Sequence, residues 1–201
     1  MKRIVPAVIG LMLIVPAAPV VSGSNATAYF AGGCYWGVES VFDHVKGVKS
    51  AVSGFGFGAA DSMDGVRRRP NHAGYAETVK VTYDPAKISY EQLLTIFFTV
   101  VHDPTQLDRQ GPDVGPQYRS ALFVTDSTQF RMARTFLDSL VRASPRGRPV
   151  VTDLVMFGRF RQAVESQQDF AEKNPEMPYI VINDVPKLKA LKTAFPERYR
   201  G

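Results

Sequence analysis

The chain predicts an α+β fold: a split β-α-β sheet, ferredoxin-like in its order, with helices on one face and a long irregular C-terminal tail. Three observations point there. Apolar residues alternate at period two through Thr78–Tyr83 but recur at helical spacing at Val38, Val41, Phe42 and Val45. These patterns follow one another as β-α-β-β-α-β. After Asn174, prolines interrupt the periodicity.

Thr27–Ala31 reads as a short strand that ends at Gly32-Gly33, and a helix follows until Gly47. Val48–Phe57 reads as a strand, and 59–74 as a long polar loop. Thr78–Tyr83 is a strand closed by the turn Asp84-Pro85. Ser89 caps the next helix, with Gln92 at the capping-box position and Leu93, Leu94, Ile96, Phe97 and Val100 on the apolar face. A loop rich in Asp, Gly and Pro spans His102–Gln117; a strand over Tyr118–Thr125 and a helix over Ser127–Arg142 follow. Val150–Phe157 is a strand, Gln162–Lys173 a helix, and Lys187–Ala194 a short helix within the tail.

Met1-Lys2-Arg3, the apolar run Ile4–Val21 and the small polar exit Ser22–Asn25 read as a secretory signal peptide over residues 1–23, cut near Gly23–Ser24. An uncleaved anchor is the rival reading, because the apolar run nearly reaches spanning length. Export to a periplasmic or extracellular location is expected, with residues 24–201 forming one domain. The formal charge of +5 falls to +3 without Lys2 and Arg3, too mild to suggest nucleic acid. Arg67-Arg68-Arg69 reads as a solvated loop.

The chain has one cysteine, so no internal disulfide can form. Cys34 is either a small buried apolar residue or a reactive thiol. Its context favours reactivity. A strand enters, Gly32 and Gly33 turn the chain, and Cys34 opens a helix, where unpaired N–H groups and the helix dipole should pull its pKa below about 8.5. Tyr35 and Trp36 offer an apolar cup beside the sulfur. A thiol hydrolase would instead need a histidine base: His44 lies too far along the same helix, whereas His72 and His102 sit in loops. A non-catalytic peptide-binding module would bury an inert Cys34 and leave Glu77 on the surface. One cysteine and three scattered histidines lack metal-ligand spacing, so neither metal nor cofactor is expected.

Gly33-Cys-Tyr-Trp-Gly37 resembles the Gly-Cys-Phe-Trp-Gly signature of the peptide methionine sulfoxide reductase A family. Gly74-Tyr-Ala-Glu77 with its following strand, His102-Asp-Pro-Thr-Gln106 through Gly111, Asp113–Ser120 and Lys173-Asn-Pro175 are similar to further family blocks in the same order. The resemblance implies reduction of methionine S-sulfoxide, free or in peptides, by a monomeric thiol oxidoreductase. In this reading Cys34 is the nucleophile and Glu77 the acid, held neutral by burial and the nearby thiolate. Tyr118 binds the sulfoxide oxygen, Asp113 lies near the substrate or the leaving water, and Tyr35 and Trp36 hold the methyl group.

The chain departs from the family pattern at several points. Tyr35 replaces the signature phenylalanine, Tyr75 replaces a histidine, and Gly65 stands where a second oxygen-binding tyrosine is usual. Tyr75 is the candidate substitute. Gln167 stands where the family often has histidine. With no second cysteine, the implied sulfenic acid on Cys34 must be reduced by a thioredoxin-like protein or a small thiol.

Overall fold

A computed structural model describes residues 24–59, 74–144 and 147–201. The segment read as a signal peptide, Gly65, Arg67–Arg69, His72 and most of the loop 59–74 lie outside the described residues. Among the described residues no helix is long and apolar enough to cross a membrane.

Five strands close into a barrel: β1 (Ala26–Gly32), β3 (Ala76–Tyr83), β2 (Val48–Gly58), β7 (Asp153–Gln162) and β6 (Ser120–Val124), in that order. β6 then pairs with β1, and only the β6–β7 ladder is parallel. The expected open, ferredoxin-like sheet is therefore corrected to a closed one. The reason lies in β7, which runs beyond Phe157 to Gln162. Its first part, Asp153–Met156, pairs with β6, and Phe157 with Arg159–Gln162 pairs with β2. One long twisted strand thus bridges two edges that the shorter predicted strand would have left open. Inside the narrow barrel Ala31, Ala76 and Ala121 leave room for the ring of Phe123.

The main core lies outside the barrel, under α1 (Tyr35–Asp43), α2 (Tyr90–Ile96), α3 (Ser127–Ala143) and α6 (Val185–Ala194). Alternation along β1 turns Phe30 outward, where its ring stacks on Phe42 of α1 at 4.7 Å and meets Phe97 at 5.0 Å. Ser89 and Gln92 form the expected capping box, and α2 passes into a π-helical turn, Phe97–Val101, that delivers His102. The loop after it holds a two-stranded ribbon, β4 (Arg109–Gln110) and β5 (Asp113–Val114).

Two further expectations need correction. The predicted helix Gln162–Lys173 is only a 3-10 turn, Glu165–Gln167, followed by α4 (Phe170–Lys173). Gln168 interrupts it by bonding the Ser53 N–H and C=O of β2 and the Ala163 C=O, and Asp169 takes a left-handed φ of 52°. The tail is not irregular: it holds α5 (Pro178–Asn183) and α6, each with proline in its first turn. Proline suits that position because its missing N–H would have no helical partner.

Glu39 joins α1 to these pieces. It is 1% exposed and accepts hydrogen bonds from Ser53 N at 3.1 Å and Asp169 N at 3.0 Å. Burial pushes its pKa up to about 7 against those bonds. The folded state therefore holds the Glu39 proton more tightly than the unfolded chain, where glutamate titrates near about 4.3. This contribution to stability falls as pH rises between those values. Glu39→Ala leaves the Asp169 N–H without its acceptor and should cost about 1–3 kcal/mol in denaturant unfolding. The loss should be larger at pH 5 than at pH 8; a larger loss at pH 8 would contradict the assignment.

Candidate active site

β1 delivers the chain to Gly33, whose φ of +98° and close neighbour Gln110 admit no side chain: a Cβ there would lie 2.7 Å from Gln110 Cβ. The turn sets Cys34 as the N-cap of α1, only 8% exposed. Tyr35, the first helical residue, donates its N–H to Glu77 Oε2 at 3.1 Å. Glu77 lies near the start of β3, so a strand end and a helix start meet beside the thiol.

The expectation of a lowered thiol pKa is corrected. Burial pushes the Cys34 thiol well above its ordinary range, and the carboxylates of Glu77, Asp184 and Asp113 push the same way. The Trp36 N–H favours the thiolate but is outweighed. Burial also raises Glu77 to about 7, opposed by the Tyr35 N–H and reinforced by Asp113. A raised glutamate matches the sequence reading, but Asp113 rather than a thiolate supplies the neighbouring charge.

Tyr118 ends a 3-10 turn, Pro116–Tyr118, just before β6. Its phenol is raised by burial and by the charges of Glu77 and Asp113, which places it on the same site. Arg119 secures the turn by donating to the carbonyls of Tyr75 at 2.6 Å and Pro116 at 3.0 Å. Asp113 accepts a hydrogen bond from the Tyr179 hydroxyl. Tyr179 in turn packs edge-on against Trp36 at 5.6 Å, and Phe170 stacks flat on the indole at 3.9 Å.

The two departures at Tyr35 and Gln167 meet. Gln167 Oε1 accepts from Trp36 Nε1 at 3.0 Å and from the Tyr35 hydroxyl at 3.3 Å. The added hydroxyl therefore finds its acceptor on the amide that stands in place of the usual histidine. Tyr75 goes elsewhere: its ring packs on Phe55 at 5.2 Å and Phe57 at 5.9 Å.

Sequence reasoning did not select Tyr179, Phe170, Asp184 or Lys187. Tyr179 and Phe170 follow no pattern in a region of short elements. Asp184 and Lys187, three residues apart, carry an ion-pair signal. They pair at 3.0 Å, with Asp184 only 1% exposed. Gly37 makes room for them, since a Cβ there would fall 2.1 Å from Asp184 Oδ1.

No histidine among the described residues serves the sulfur. Both ring nitrogens of His102 are engaged, with Ser120 Oγ at 2.7 Å and Phe97 O at 3.3 Å, and burial lowers its pKa to about 4. His44 contacts Ser40 O at 2.8 Å. One carboxylate group among the described residues has cation-binding spacing, Glu39, Asp43 and Asp169, with ligand atoms within 4.8 Å of one another. Glu39 and Asp43 already accept backbone N–H groups there.

A buried thiol at a helix start, with a carboxyl rather than an imidazole beside it, is the arrangement of a thiol-dependent enzyme. The chain belongs to the peptide methionine sulfoxide reductase family, whose model matches residues 26–199. A relative from Mesorhizobium japonicum named peptide methionine sulfoxide reductase MsrA 2 is 48% identical over 175 residues, covering 87% of this chain and 90% of that protein. Mxr1 from Saccharomyces cerevisiae in reduced form superposes with a TM-score of 0.64 at 26% identity, covering 76% of this chain and 87% of Mxr1. Mxr1 in complex with Trx2 gives 0.53 at 20% identity, covering 79% of this chain and 91% of that one, a likeness of fold.

The lone tryptophan reports directly on the Gln167 anchor. Gln167→Ala should raise acrylamide quenching of Trp36 fluorescence about twofold or more while far-ultraviolet circular dichroism stays unchanged, because an indole N–H without its partner is freed toward solvent. Unchanged quenching would show that packing by Phe170 and Tyr179 holds the indole unaided.

Proposed function

We propose that this protein reduces methionine S-sulfoxide, free or in peptides and proteins, to methionine. The observation that carries this reading is the Tyr35 N–H···Glu77 bond, which sets a carboxyl that keeps its proton to about pH 7 beside the only thiol. The relatives' names supply the substrate class.

The Cys34 thiolate attacks the sulfoxide sulfur while Glu77 gives its proton to the oxygen. The S–O bond moves from substrate to enzyme: the sulfoxide sulfur gains two electrons, the Cys34 sulfur loses two, and a sulfenic acid remains. Tyr118 donates to the sulfoxide oxygen. Asp113, held by Tyr179, lines the same side, and the rings of Tyr35 and Trp36 take the methyl group. Tyr75 belongs to the aromatic wall rather than to the oxygen.

With one cysteine in the chain, reduction of the sulfenic acid falls to an external thiol. A thioredoxin-like protein is the proposed partner, as Mxr1 is known with Trx2; a small thiol can substitute. The basic, then apolar, N-terminus supports export, so the reductant would act outside the cytosol.

Thiol and acid share protons. Above about pH 7 the pair holds one, and moving it from sulfur to carboxyl creates the working form, a thiolate beside a neutral acid. Below that pH both are protonated. Incubating the protein with each sulfoxide epimer and dithiothreitol tests the function: the S epimer should be reduced and the R epimer spared, whereas no turnover of either would overturn the reading. The single-turnover rate should rise as pH increases through about 7 and then level. Glu77→Gln should slow it by about 10²–10⁴-fold and move the rise to higher pH, where the thiol titrates alone. A change of less than about threefold would remove Glu77 from the acid role.

A further inference from the structure

Beyond the cup, two rows of side chains cross the sheet on the face that carries Glu77. Register places Glu77 opposite Phe55, and Phe55 opposite Arg161. Directly opposed residues in antiparallel strands point to the same side. Phe55 also meets the Tyr35 ring edge-on at 5.9 Å, so this row begins at the cup. Two residues along β2, Phe57 lies opposite Arg159 and packs on Tyr75 at 5.9 Å. The Arg161 guanidinium sits 4.9 Å from the Phe55 ring centre and the Arg159 guanidinium 4.0 Å from that of Phe57.

Both arginines are exposed, and among the described residues neither forms an ion pair. Stacking on a ring holds each guanidinium flat and leaves its in-plane N–H donors free for a carboxylate. Around the thiol lie the carboxyl groups of Glu77 and Asp113 and the Asp184–Lys187 ion pair. The positive charge of Arg159 and Arg161 lies to one side of them.

We propose that this strip of arginines on aromatic rings binds acidic residues of a substrate polypeptide and selects methionine sulfoxides that have Asp or Glu nearby. The proposal rests on the sulfoxide-reductase reading. Two strand spacings of about 4.8 Å separate Glu77 from Arg161 along the row, or about three residues of extended peptide. The preferred acid therefore lies two to four residues from the sulfoxide. The aromatic rings supply apolar contact for the intervening chain, and the arginines supply the charge complement.

The test uses three peptides of equal length, with methionine sulfoxide flanked at these positions by Asp, Gln or Lys, alongside N-acetyl methionine sulfoxide. Dithiothreitol serves as reductant. The wild type should favour the Asp over the Lys peptide about three- to tenfold in kcat/KM at low salt, and the preference should shrink in 0.5 M salt. Arg159→Gln with Arg161→Gln should bring the peptides within about twofold of one another, with N-acetyl methionine sulfoxide turnover unchanged. Arg→Lys at both positions should restore part of the preference.

Binding of the same peptides to Cys34→Ser, read by fluorescence anisotropy, separates the surface from the chemistry. An Asp preference there, lost with the two arginines, supports the strip even if N-acetyl methionine sulfoxide is not turned over; the reaction reading then fails alone. No charge preference in the wild type, a preference that survives loss of both arginines, or an equal loss on N-acetyl methionine sulfoxide overturns the proposal. So does an effect of the two substitutions that appears only in the KM for thioredoxin when thioredoxin replaces dithiothreitol, which would assign the strip to the reductant.

Discussion

The hydrogen bond from Tyr35 N–H to Glu77 Oε2 is the constraint on which the site depends. A helix start leaves N–H groups without intrahelical partners. Here the first of them is given to a carboxyl from a strand, so one bond fixes the helix that carries the thiol against the strand that carries the acid. The barrel makes the meeting possible. β1 and β3 are neighbours, and their adjacent ends bring Gly33 and Glu77 to the same edge. The cup is then completed from the C-terminal segments: Gln167 and Phe170 hold the Trp36 indole, and Tyr179 joins it to Asp113.

Burial governs the electrostatics. A charge near a helix N-terminus gains about 0.3–1 kcal/mol, equivalent to less than one pKa unit. Full burial can shift an ionisable group by about 3–5 units. For Cys34 the larger effect wins, and the surrounding carboxylates add to it. Burial thus favours the protonated thiol over the thiolate, which is the reactive form. In the proposed mechanism the thiol is activated by passing its proton to Glu77, whose own affinity burial has raised. The same burial thus raises the proton affinity of both the thiol and the carboxyl.

Much of this was legible because local signals agreed with the tertiary fold. The helix after Gly33, the alternation of β3 and the capping box at Ser89 all reappear. Barrel closure was hidden because it depends on which edges β7 pairs with, and a strand's sequence carries no partner label. Prolines in the tail read as breakers, yet Pro178 and Pro186 begin helices, where a missing N–H is harmless. Cys34, Glu77, Asp113 and Tyr118 could be selected from motifs along the chain. The partnership of Tyr35 with Gln167 could not: 132 residues separate them, and only the fold shows that one hydroxyl answers the other's amide. The direction of the thiol's pKa shift is not legible in the sequence, because helix position is visible there and depth of burial is not.

In the proposed reaction the sulfoxide oxygen ends on Cys34. Mass spectrometry after a single turnover of methionine S-sulfoxide, with no reductant present, tests it most directly. One methionine should be released per protein molecule, the Cys34 peptide should be heavier by one oxygen, and dimedone should trap that form, because the chain has no second thiol to displace it. Methionine released from a protein whose Cys34 remains unmodified would contradict direct attack by the thiol.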